Sequence, residues 1–473
     1  MESYVKKIIV IYAIIVCFAG SVGADLTERI DGIINPYLQK KVTFSIHVIK
    51  ADTGREVYGH QSQEPRIPAS NMKIITSAAA LKYLGPDYEF TTKIGLCNGS
   101  LIIIGSGDPL LGDAETDLKY GREKDWVLDT IVQALKLQGI ETIEDIVVDS
   151  SIFDNQRVHP SWPAKDLNKS YACEISGLNY NCNCITISTE RIEDKVAVYI
   201  EPQTGFIELI NKIEPITQGE SAVGTYRNSK PNKITAYGKC KNKVGPFEVA
   251  IERPAAFFGF LLYEKLTQAG ISTKGKFVEA GLEEYGEFKP VTQFQTPLMD
   301  CVARCNKDSI GLVAESLLKT IAANSNPDGK NGSWEKGREL ISNFLSELGV
   351  DKNQFNIDDG SGLSRENRLS AYVITTVLSN IYKSNYWPPY RDSLAVGGED
   401  GTINKYFKED KYRGKIIGKT GYISGVRSFS GVCTTENGDY IFSIIANNAG
   451  YISRYKINEI AESIIDEYSG STK

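Results

Sequence analysis

Histidine is nearly absent from this 473-residue chain: only His47, His60 and His159 occur, and none lies in a recognisable motif. A Ser-His-Asp triad or a histidine-rich metal site therefore has few candidates. No Lys/Arg block stands out, and the net charge is −6, which argues against a nucleic-acid role. Beyond the N-terminus no apolar run reaches the length of a membrane span. Low-complexity segments and internal repeats are also missing. What remains is an ordinary globular composition, with 41% apolar and 24% charged residues, which excludes disorder and a multi-span membrane protein. By length the chain holds two to four compact units.

The N-terminus reads as a targeting segment. Lys6 and Lys7 precede an apolar run from Ile8 to Phe18, and small residues follow through Ala24. Residues 1–24 are expected to be a cleaved signal peptide, with an uncleaved anchor as the alternative. Export permits disulfides. Eight cysteines follow the signal: Cys97, Cys173, Cys182, Cys184, Cys240, Cys301, Cys305 and Cys433. Their spacing fits no common zinc pattern, so disulfides or free buried thiols are expected rather than a metal site.

A hairpin is predicted from the alternation in Val42–Val48, the turn Asp52-Thr53-Gly54 and the return at Glu56–Tyr58. It leads to Pro68-Ala69-Ser70-Asn71-Met72-Lys73 and an alanine-rich apolar run, which reads as a helix start. Ser70 and Lys73, three residues apart, then share a face. A lysine in a dry site loses affinity for its proton and can take one from a serine, so this pair offers a nucleophile without histidine. Alone it could equally be a helix cap beside a surface lysine. The stretch from about 150 to 287 has mostly β texture, interrupted by one helix after Pro254. Ala303–Ala322 reads as one strong helix, followed by helices at Glu335–Leu348 and Leu369–Tyr382. Strands at Val426–Cys433 and Tyr440–Ala446 and a helix from Ile457 close the chain. Just before them, Lys419-Thr420-Gly421 in an extended segment would point Lys419 and Gly421 to one face and Thr420 to the other. The order of elements predicts one α/β (α+β) unit, 25–92 plus 288–473, interrupted by an inserted region, 93–287, of two subdomains.

Taken in order, several stretches resemble the serine D-alanyl-D-alanine carboxypeptidases of the class C penicillin-binding proteins. They are Pro68–Leu81, Gly105-Ser106-Gly107-Asp108-Pro109, Ser161-Trp162-Pro163, Asn306–Ser309 with Ala314–Lys319, Asp359-Gly360-Ser361-Gly362-Leu363-Ser364-Arg365, Gly397–Thr402 and Lys419-Thr420-Gly421. The resemblance implies a penicillin-binding, serine β-lactamase-like transpeptidase fold: a sheet flanked by helices, with a large, mostly β insertion. It implies Ser70 as acylated nucleophile, Lys73 as its base, Ser309 as proton relay, and Lys419 and Thr420 on the substrate carboxylate beside Gly421. Ser70 and Tyr422 would lend backbone N–H groups to an oxyanion hole. Asp166, Tyr171, Ser361 and Arg365 would line the site for the peptide side chain. The implied partners are peptidoglycan stem peptides, with β-lactams as covalent inhibitors, acting outside the cytoplasm without cofactor or metal. Two positions depart from the family pattern. Gly311 stands where the asparagine of the serine-x-asparagine element belongs, and Tyr422 where a small hydroxyl residue is usual. Each departure is expected to weaken the site. A non-catalytic peptidoglycan-binding relative, or an esterase or amidase on the same scaffold, are the alternative readings.

Overall fold

The computed structural model describes residues 25–281 and 287–469. The expected signal segment lies outside them. Both ends of the chain build one six-stranded antiparallel sheet, in the order Ala395–Val396, Ile416–Ile423, Val426–Thr435, Gly438–Asn447, Thr43–Lys50, Glu56–His60. Strand Thr43–Lys50 lies beside Gly438–Asn447, with Ile46 opposite Ile444. The period-two alternation of these strands feeds two cores. Ile417, Val432, Ile441 and Ile445 face the helices Met72–Leu84, Leu298–Lys307, Gly311–Ser325, Trp334–Glu347 and Ala371–Tyr382. Ile416, Phe429, Phe442 and Ile444 face the terminal helices Leu26–Ile34 and Ile452–Tyr468. Each such side chain, buried, contributes about 1.5–3 kcal/mol. The expected sheet between helical layers is present.

The intervening region has its own core. A five-stranded sheet runs Phe277–Glu279, Ile146–Asp149, Ser100–Ile104, Glu89–Cys97, Lys289–Pro297, covered by helices Trp126–Leu137 and Pro254–Gln268. Within this sheet Glu89–Cys97 and Lys289–Pro297 pair antiparallel. Two three-stranded sheets between Cys184 and Ala250 supply the β texture read from the sequence.

One sequence expectation is corrected. Ala303–Ala322 is not a single helix. It is the end of Leu298–Lys307 and most of Gly311–Ser325, broken at Asp308-Ser309-Ile310. Ser309 sits at φ +67°, a left-handed conformation that a residue with a β-carbon adopts at a cost. Tertiary contacts hold the break. Arg304 donates to Asp308 Oδ2 at 2.7 Å and to both carboxylate oxygens of Asp113, in the intervening region, at 2.9 and 3.0 Å.

A second tie runs through Lys319, whose fully buried amine donates to Asp154 Oδ1 at 2.6 Å and to the Gln156 carbonyl at 2.7 Å, over the face of Trp334 at 3.9 Å. Asp154→Asn removes the counter-charge and leaves the ammonium buried. A loss of about 3 kcal/mol in unfolding free energy is expected, read from urea denaturation.

Among the described residues Cys173, Cys182, Cys184, Cys240, Cys301, Cys305 and Cys433 are free thiols, all buried but Cys182, and Cys97 is buried as well. The structure thus carries the buried-thiol alternative. Two of the three histidines, His47 and His159, are buried. His47 bonds Thr375 and Glu56, and His159 is buried against Trp162 and Trp334.

Candidate active site

The helix start expected at Ser70 opens with a single 3₁₀ turn, Ala69–Asn71, before the α-helix Met72–Leu84. Ala69 is held at φ +47°. Such strain persists only where the surroundings over-determine it. Here they do. The Pro68 carbonyl accepts from Ser428 Oγ at 2.7 Å. On the other side Gly362 presses so close that a β-carbon there would fall 1.8 Å from the Ala69 carbonyl. Buried Asn71 donates to the Lys419 carbonyl at 2.6 Å, locking the helix start to strand Ile416–Ile423. At Gly421 that strand touches the turn: a β-carbon would meet the Ser70 amide nitrogen at 2.9 Å and Ser428 Oγ at 2.2 Å.

Lys73 follows one turn later. Its amine lies 3.2 Å from Ser70 Oγ and 2.8 Å from the Ser361 carbonyl, with the side chain 3% exposed. Burial pulls its pKa below the usual lysine value, against the opposing pull of Cys305, Glu315 and Asp359. A depressed lysine at hydrogen-bond distance from a hydroxyl has the geometry and the basicity to take its proton.

The helix break delivers Ser309 to the second lysine. Lys419 Nζ lies 2.7 Å from Ser309 Oγ and 2.8 Å from the Thr420 carbonyl. Lys419 has no exposed surface, and burial, followed by the charge of Lys73, drives its pKa well below the usual value. The Cys305 thiol lies between the two lysines' fields and is pushed up to about 11 by burial.

The other sequence-derived residues spread around this centre. Gly421 joins it. Thr420 points the other way, to Thr402 Oγ1 at 3.0 Å. Tyr422, on the face of Thr420, is 61% exposed and lies under the Arg427 guanidinium at 3.7 Å. Ser361 contributes its carbonyl to Lys73, while its hydroxyl accepts from the Leu363 amide at 3.3 Å. Arg365 is exposed and donates to the Ser424 carbonyl. Tyr171 and Ser309 line one cavity of about 250 Å³, together with Glu248, Arg304, Asp308 and Gly311. Burial, followed by the charge of Asp166, raises the pKa of the Tyr171 phenol. Gly311 opens the helix Gly311–Ser325, and a β-carbon on it would lie 2.9 Å from the Tyr171 carbonyl.

Motif reading assigned no role to the groups that support Lys73. Glu315 and Asp359 lie inside stretches that carried the resemblance, but only the fold shows what they bond. Asn71 is similar: its neighbours Ser70 and Lys73 drew attention, while its bond crosses to a strand 348 residues away.

A serine at a helix start against a dry lysine, faced by a strand-borne lysine, on a sheet between helical layers, defines a penicillin-binding-like serine hydrolase fold. The chain belongs to the D-Ala-D-Ala carboxypeptidase 3 (S13) family, whose profile matches residues 26–466. It is 28% identical over 476 residues to a D-alanyl-D-alanine carboxypeptidase of Actinomadura sp., covering 94% of this chain and 85% of that one. The carboxypeptidase DacB of Haemophilus influenzae is 24% identical over 79% of each chain. Among solved structures, penicillin-binding protein 4 of Haemophilus influenzae superposes with a TM-score of 0.78 at 20% identity, covering 93% of this chain and 99% of that one. A second structure of that protein, complexed with a β-lactam, gives 0.73. The predatory peptidoglycan endopeptidase Bd3459 of Bdellovibrio bacteriovorus gives 0.54 at 17% identity, over 91% and 94% of the two chains. The fold and family expected from the sequence are those found.

Proposed function

We propose that the chain is an exported serine D-Ala-D-Ala carboxypeptidase, with endopeptidase action on peptidoglycan cross-links by the same chemistry. The observation that carries this is the 3.2 Å contact between Ser70 Oγ and the buried Lys73 amine. Lys73 takes the hydroxyl proton as Ser70 Oγ attacks the carbonyl of the penultimate D-alanine. The N–H groups of Ser70 and Tyr422 stabilise the oxyanion, and the close approach at Gly421 supports that pairing. Ser309, bonded to Lys419, passes a proton to the leaving amine. Water then hydrolyses the acyl-enzyme and releases the shortened peptide.

Lys419 is the cation for the terminal carboxylate. An incoming anion favours its protonated form, reversing the effect of burial. Thr420 and Tyr422 border the carboxylate end, while Asp166, Tyr171, Ser361 and Arg365 border the side-chain end. The region 93–287 acts as an insertion that props the Ser309 break through Asp113. Among the described residues no helix is long and apolar enough to cross a membrane, and the 1–24 segment supplies the export signal.

Penicillins, which mimic the dipeptide end, should acylate the enzyme. A fluorescent penicillin is expected to label the purified protein covalently, with Ser70→Ala as the control. No label on folded protein would count against the reading. Hydrolysis of simple esters with none of D-Ala-D-Ala peptides would select an esterase instead.

A further inference from the structure

Lys73 needs more than a dry pocket; its amine must be aimed at Ser70. The group that aims it is a backbone carbonyl, Ser361 O, at 2.8 Å. That carbonyl sits in the loop Asp359-Gly360-Ser361-Gly362, which two buried carboxylates grip from opposite sides. Glu315, with no exposed surface, accepts from the Ser361 amide at 2.7 Å, the Gly360 amide at 2.9 Å and Trp334 Nε1 at 2.8 Å. Asp359, equally buried, accepts from the Gly362 amide at 2.7 Å, the Ser364 amide at 2.6 Å, Asn367 Nδ2 at 2.7 Å and Trp162 Nε1 at 2.9 Å. Seven donors converge on two carboxylates beneath one short loop. Packing alone requires far less, because a buried carboxylate is costly wherever an apolar side chain would serve. The loop also leaves no slack. A β-carbon on Gly360 would meet the Ala314 carbonyl at 2.8 Å, and Gly362 is wedged on Ala69.

We propose that Glu315 and Asp359 are positioning residues for Lys73, holding the Ser361 carbonyl against its amine and placing their negative charge where that amine feels it. The inference rests on the reading of Lys73 as the base. It gives the two carboxylates a task that neither motif nor family membership assigns.

The charges around Lys73 are few. Cys305 faces it from helix Leu298–Lys307, Glu315 from helix Gly311–Ser325, Asp359 from the loop and Lys419 from the strand. Glu315 itself faces Asp359, and its field reaches Lys319 on its own helix. Burial, then Asp359, pushes the Glu315 carboxyl up to about 7. A nearby anion favours protonated lysine, so removing it makes Lys73 a free amine at lower pH.

The test is the pH dependence of the acylation rate with a chromogenic penicillin. In the wild type the rate falls on the acid side as Lys73 gains its proton. Glu315→Gln and Asp359→Asn should each move that limb to lower pH, on the order of half a unit or more. Each should also lower the plateau, as the carbonyl loses its hold. Glu315→Asp keeps the charge, so the limb should stay while the plateau falls. A residue with a purely structural role would lower the plateau or the melting temperature and leave the limb in place. An unmoved limb in folded Glu315→Gln and Asp359→Asn overturns the proposal. Should Glu315→Gln fail to fold, Asp359→Asn with Glu315→Asp decides it. Wild-type protein that acylates with no acid limb would instead remove Lys73 as base, and the proposal with it.

Discussion

Ser70→Ala should form no acyl-enzyme at any penicillin concentration, while Lys73→Ala should form it fully but slowly. The contrast separates the two roles. In the proposed reaction Ser70 Oγ is the atom to which the acyl group bonds, and among the described residues no other hydroxyl lies 3.2 Å from the Lys73 amine. Its loss leaves nothing to acylate. In the same reaction Lys73 would supply proton transfer, a contribution of typically 10²–10⁴-fold. Its removal leaves the helix start, the Gly421 contact and the Lys419–Ser309 pair intact. Intact-protein mass spectrometry over time distinguishes the outcomes. Full-speed labelling of Lys73→Ala would pass the role of base to another group, with Ser309 beside Lys419 the first to test. Label on Ser70→Ala would place the nucleophile elsewhere.

The second large effect concerns Gly311. From the family pattern alone, Gly311→Asn looks like a repair. The structure predicts the opposite: lower stability and lower activity. A β-carbon on residue 311 would sit 2.9 Å from the Tyr171 carbonyl, a backbone atom that cannot swing away. Relief requires moving the Tyr171 segment or the start of helix Gly311–Ser325, and that start carries Ser309 two residues earlier. Overpacking of this kind costs about 1–3 kcal/mol. A displacement of Ser309 would also break its 2.7 Å bond to Lys419. The expected readouts are a reduced melting temperature and a reduced acylation rate. A faster Gly311→Asn enzyme would show that the Tyr171 segment yields easily and that the missing amide was limiting.

How much of this was legible in the sequence depends on the range of the forces involved. The hairpin, the Ser70 helix and the last two strands follow local periodicity and turn chemistry, and they fold as read. Ser70 and Lys73 were legible because i, i+3 spacing on a helix is itself a geometric statement. The break at Ser309 was not. Ala303–Ala322 contains no proline, and its lone glycine, Gly311, is compatible with a continuous helix. The interruption comes from Arg304, held by Asp113 some 190 residues upstream, and from Lys419, 110 residues downstream. Glu315 illustrates the same limit. On its helix it reads as one more polar residue, yet it is buried and accepts from the Gly360 amide, 45 positions later. In the sequence Tyr422 is only a departure from the family pattern; its cross-strand pairing with Arg427, whose guanidinium lies over its ring, is set by register.

The sheet that carries Lys419 closes only when Gly438–Asn447 lies beside Thr43–Lys50, so the first and last thirds of the chain must both be present. A ribosome that has already released Ser70 and Lys73 has still to make some 340 residues before their partner strand exists. Until then the serine has neither the Asn71 anchor on Lys419 nor the Gly421 contact at its amide. Closing such a distant pairing is slow. The surroundings of Ser70 are therefore completed only once strand Ile416–Ile423 has been made. A growing chain, or one cut short before that strand, carries the Ser70–Lys73 pair without the strand that anchors it.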